Sequence, residues 1–92
     1  MAPGADPHPV FLAEHYLAAV DAERVEALLE RLIGACRVDV HLLGAAGLPG
    51  DECVLSLFAG PSAEAVEETF ERAGVPVDRI VPVLWRPAAS LG

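Results

Sequence analysis

Lysine, asparagine and glutamine do not occur in this 92-residue chain, and all six basic residues are arginine. Without lysine there is no Schiff-base chemistry and no P-loop, whose lysine reaches the phosphates. Cysteine occurs only at Cys36 and Cys53, too few for the disulfide framework of a small secreted domain. Charges and prolines interrupt every apolar run before it reaches the length of a membrane span. The opening MAPGADPHP carries Asp6 and no apolar h-region, so no leader is expected and the expected location is cytoplasmic. Positive charge is also scarce. The net charge of −8 would be repelled by a phosphate backbone or an anionic membrane, so neither nucleic acid nor membrane is an expected partner. The chain has no GxSxG, HExxH or CxxC and no glycine-rich phosphate loop. No sequence-local motif therefore names a reaction.

Apolar residues, by contrast, are abundant at 53% of the chain. A single domain of this length has too much surface for its volume to bury them all, so the surplus predicts a subunit interface and a homo-oligomer. The clearest element lies in Gly60–Ile80. Ser62 is placed to cap a helix, and Val66, Phe70 and Ala73 form an apolar stripe at helical spacing. Glu64, Glu67, Glu68 and Glu71 fill its wet face, Gly74 permits a left-handed close, and Pro76 prevents a restart. An earlier helix is expected over 22–33, capped by Asp21, striped by Val25, Leu28, Leu29, Leu32 and Ile33, and stopped by Gly34.

Four strands complete the pattern, expected over 10–17, 38–43, 52–59 and 80–85, with 44–51 as a turn-rich hairpin loop. The order β-α-β-β-α-β predicts an α+β, ferredoxin-like sandwich: a four-stranded antiparallel sheet with two helices on one face. Pro82 fits the edge position that this topology gives the last strand. Both faces of the first strand are mostly apolar, which implies that two copies stack through their open sheet faces. Residues 10–86 form the domain, and 1–9 and 87–92 are expected to be tails, of which the first is mobile and the second loose.

The residues able to carry chemistry are scattered: His8, Glu14, His15, Tyr16, Asp39, His41 and Cys53. Glu14 and His15 are adjacent on a strand and point to opposite faces. Asp39 and His41 share a face opposite Val38, Val40 and Leu42. Neutral imidazole and carboxylate oxygen suit nickel or zinc. The same spacing also fits a solvated His–Asp pair, and Cys53 a small buried residue.

The stretch from Glu14 to Ile80 resembles the small proteins of domain-of-unknown-function family 4242, which includes a nickel-binding protein. The matching features are Glu14 on the first strand, His41 on the second, the acidic helix with Glu64–Ala65–Val66, and Ala73–Gly74–Val75–Pro76 followed by Ile80. The resemblance covers roughly residues 10 to 84 and implies a dimeric ferredoxin-like fold. A histidine usual in the family's second helix corresponds to Thr69, its third-strand cysteine to Ser56, and a histidine near the end of its first strand to Tyr16, which His15 precedes.

The expected function is a non-enzymatic, homodimeric protein that binds a divalent metal, with Glu14, His15, Asp39 and His41 as ligands. The resemblance favours nickel, and zinc fits the same donors. The rival is a dimeric α/β-barrel-type enzyme or small-molecule binder. There His15, His41 or Tyr16 would act as acid or base in an apolar pocket lined by Phe11, Leu55 and Phe58.

Overall fold

The computed structural model describes residues 9–86 and 88. The two expected tails, and His8 with them, lie outside the described residues apart from Pro9 and Ala88. The elements are β1 (Val10–Tyr16), α1 (Ala22–Ala35), β2 (His41–Leu48), β3 (Cys53–Ala59), α2 (Ala63–Ala73) and β4 (Arg79–Val83). Every strand pair is antiparallel, and the order β2-β3-β1-β4 puts β1 and β3 at the centre. This is the expected ferredoxin-like arrangement. Pro82 sits on edge strand β4, where its missing N–H breaks no inner ladder.

The helix ends follow local chemistry. The Asp21 carboxylate accepts the Arg24 backbone N–H at 2.8 Å, and the Ser62 hydroxyl accepts that of Ala65 at 3.1 Å. Each satisfies a donor that the first helical turn leaves free. Gly74 closes α2 at φ 71°, a conformation that glycine adopts without penalty. Helix α1 runs one residue past Gly34, its expected stop, and leaves at Cys36 through extended backbone (φ −66°, ψ 139°). Its buried face is also narrower than its apolar spacing implies. Leu28, Leu32 and Ala35 are buried, whereas Ile33 is 59% exposed.

The larger departure concerns β2. Expected over 38–43, it instead begins at His41 and continues to Leu48, through the glycine- and alanine-rich stretch that reads as a hairpin loop. The turn shrinks to a 3-10 helix at Pro49–Asp51, followed by Glu52 in the left-handed region (φ 47°). Close packing explains the glycine. A Cβ at Gly47 would lie 2.8 Å from a Val20 methyl and 2.9 Å from a Val25 methyl, so only glycine lets β2 pass beneath the start of α1. Between Leu42 and Gly44 the register with β3 shifts at a bulge, leaving Leu43 unpaired and 40% exposed.

Strand alternation sorts the sheet into two faces. Phe11, Ala13 and His15 of β1 and Val54, Ser56 and Phe58 of β3 face the helices and are all buried. They pack with Leu28, Leu32, Val40, Val66 and Phe70 into one core. The other face carries Val10, Leu12, Leu55, Leu57, Val81 and Val83, all only half-buried because nothing among the described residues covers them. Glu14 and Arg79 interrupt this apolar field, with Tyr16 and Cys53 at one end and His41 at a corner.

Candidate functional site

Only three polar side chains are buried among the described residues: His15, Ser56 and Thr69. Each was marked in the sequence at or beside a ligand-like family position, and the fold turns all three inward. His15 enters on β1 because it alternates with Phe11 and Ala13. Ser56 enters on β3 between Val54 and Phe58. Thr69 enters on α2 beside Phe70, and its hydroxyl donates back to the Ala65 carbonyl at 3.1 Å, which satisfies it within the helix.

His15 is different. Its Nε2 lies 3.1 Å from the Ser56 hydroxyl oxygen, while its Nδ1 is buried with no hydrogen-bond partner among the described residues. The ring meets Phe70 edge-on, with centroids 5.1 Å apart and planes at 70°, and Phe70 meets Phe58 at 5.4 Å in the same manner. Burial pushes the imidazole below its usual range, and the negative charge of Asp78 opposes this only in part. His15 is therefore neutral at pH 7, with one nitrogen that donates and one that accepts. The hydroxyl of Ser56 can serve either, so both tautomers fit. In a Ser–His–carboxylate triad the second imidazole nitrogen bonds to a carboxylate; here it bonds to nothing, so the pair is not such a triad. A buried polar nitrogen left without a partner costs about 1–3 kcal/mol, and such atoms often mark a place for a group from outside the chain.

Beside this core lies a cleft of about 250 Å³ between α2 and the start of β4, lined by Ala63, Glu64, Glu67, Val77, Asp78, Arg79 and Ile80. Asp78 links the two regions. It lines the cleft, its charge reaches His15, and its backbone N–H donates to the Glu14 carbonyl at 2.8 Å.

The four expected metal ligands do not converge within one chain. His15 is sealed behind the sheet, whereas Glu14 stands on the open face with no ion pair or side-chain hydrogen bond among the described residues. Asp39 precedes β2 rather than lying on it. It is held by Arg37, with contacts of 3.2 and 3.0 Å, and the same guanidinium also reaches Glu68 on α2 at 2.9 Å. His41 does face outward, as the alternation implies, but it pairs with Ala59 while Glu14 pairs with Leu55. Four residues along a strand separate those rows, about 13 Å, with β3 between the two side chains. Among the described residues no three of His, Cys, Asp or Glu come close enough to hold a metal ion. The rival pocket is also revised. Phe11 and Phe58 do share a side with His15, but Leu55 projects from the opposite face.

The two thiols are free. Burial raises the Cys36 pKa, with the nearby Arg72 pulling the other way. Burial raises that of Cys53 too, and the negative charges of Glu14, Asp51 and Asp78 add to it. Neither environment is that of an activated nucleophile.

No family model matches the chain, and no curated protein does either. The fold matches the crystal structure of SCO4226 from Streptomyces coelicolor A3(2), with a TM-score of 0.74 and 26% identity over 85% of this chain and 99% of that one.

Proposed function

We propose that this protein is a homodimer, paired through its open sheet faces, in which each chain holds a small organic ligand between sheet and helices with His15 as the polar anchor. The observation that carries this reading is the buried Nδ1 of His15, without a partner among the described residues, on a ring that meets Phe70 on one side and Ser56 at Nε2. A mostly apolar space with one oriented polar group is the usual character of a small-molecule site. The proposed route is the cleft lined by Asp78, whose charge reaches His15, with α2 opening away from β4 to admit the ligand.

Native mass spectrometry of untagged protein purified from cells tests it. The expected result is a dimer carrying a low-mass adduct that is lost on denaturation and absent from His15→Phe. A dimer that carries no adduct, and whose His15→Phe variant behaves as the parent against a small-molecule thermal-shift panel, would reduce His15 to a core residue.

The divalent-metal reading keeps one supporting observation: Glu14 and His41 stand on the same open face, so a second copy could supply the ligands that one chain separates. Titration of tag-free protein with nickel and zinc decides it. Binding that depends on both Glu14 and His41 supports the reading, and binding that survives their joint replacement by alanine removes it.

A further inference from the structure

The middle of the open face is apolar except for one acid and one base set side by side, with Tyr16, Cys53 and His41 at its margins. Glu14 on β1 and Arg79 on β4 are register partners, so their side chains project from the same face as nearest cross-strand neighbours. Leu12, Leu55 and Val81 surround them, and neither has an ion pair among the described residues. Covering this face with a second copy takes Glu14 out of water. A buried carboxylate without an opposite charge costs far more than the same carboxylate paired. Arg79 is the only cation that the strands place on this face, since His41 stands at the far corner. A two-fold interface must also be self-complementary, each patch meeting a copy of itself. An adjacent acid and base satisfy that condition when the two copies lie with Glu14 of each chain against Arg79 of the other.

We propose that Glu14 and Arg79 form reciprocal ion pairs between two copies of this chain and thereby set how the two sheets align. The proposal rests on the homodimer reading above but adds its registration. The apolar residues supply the association, and the charges select one alignment among the many that a flat aliphatic surface would accept.

Two charge reversals test it by light scattering and native mass spectrometry. E14R places two bases on the face and R79E two acids, so each alone should dimerise about thirty-fold more weakly or worse. Mixed in equal amounts, the two variants should recover a dimer of mixed mass, because each then offers what the other lacks. That recovery is specific to pairing between chains, since within either variant the neighbouring charges remain alike. Variants that dimerise singly as the parent does, or a mixture that stays monomeric, would overturn the pair while leaving the dimer standing. A monomeric parent chain would overturn the homodimer reading itself. If a reversal does not fold, Glu14→Gln and Arg79→Gln take its place: weaker dimers from both support the pair, and an unchanged dimer from either overturns it. A dimer that needs Glu14 but not Arg79, and that nickel tightens, would also overturn the pair and assign Glu14 to a metal.

Discussion

The imidazole of His15 reaches not toward Val54, its register partner on β3, but diagonally to the hydroxyl of Ser56, 3.1 Å from Nε2. One imidazole nitrogen is thereby satisfied and the other left without a partner beneath the sheet. The asymmetry makes the pair sensitive to the removal of either member.

Replacing Ser56 with alanine leaves both ring nitrogens unpaired, so S56A should lose about 1–3 kcal/mol of stability. Joining it to His15→Phe removes both polar groups and replaces the imidazole by a phenyl ring beside Phe70. The double variant should recover most of that loss or exceed the parent. Denaturant unfolding of the four proteins in the cycle measures the coupling directly. Independent, additive losses would mean that the contact contributes nothing.

Acid should destabilise the protein through the same ring. The folded pKa of His15 is depressed, so below the ordinary value near 6.5 the unfolded chain binds a proton that the folded chain refuses. Stability from this group is complete above that pH and is lost as pH falls toward the folded value. The slope is at most about 1.4 kcal/mol per pH unit for one proton. A melting-temperature profile should flatten in this window for His15→Phe, and a parent profile already flat there would contradict the assignment.

Gly47→Ala should be costly although glycine in a strand is usually a weakness. The added methyl would meet Val20 and Val25, two stiff β-branched side chains, at under 3 Å. Overpacking of this kind costs about 1–3 kcal/mol. Calorimetry should show a lower melting temperature, and a valine-to-alanine change at position 20 or 25 should restore part of it.

The thiols test the proposed dimer face. Cys53 lies on the open face, whereas Cys36 follows α1 and packs against the core from the helix side. Alkylation at mildly alkaline pH should therefore slow at Cys53 as protein concentration rises through dimerisation, with Cys36 unchanged. In E14R the Cys53 rate should stop depending on concentration. Equal behaviour of both thiols would place the interface elsewhere.

Most of the fold was legible because its marks are local. Asp21, Ser62 and Gly74 act at the helix ends where the sequence puts them, and the stripe Val66–Phe70 is buried as its spacing requires. Strand β2 was not legible. Its glycines and alanines spell a loop by propensity, but they fill a strand in which Gly47 lies too close to Val20 and Val25 for any side chain. The candidate site was half legible. Alternation puts Glu14 and His15 on opposite faces, which already divides the expected ligand set. That His15 would keep one nitrogen unpaired depends on which residues of β3 and α2 lie over it, and no spacing within β1 carries that information.

Both borders of the sheet are blunted. On β2 the bulge at Leu42/Gly44 interrupts the row of free backbone groups, and on β4 Pro82 removes a donor. Neither border is a clean template for an incoming strand, so growth into a filament is disfavoured along the only direction in which a sheet can extend without limit. The proposed pairing uses the flat face instead, where a single partner exhausts the surface. The chain thus discourages open-ended polymers by the shape of its margins, and its abundance of aliphatic residues can be tolerated without recruiting further copies.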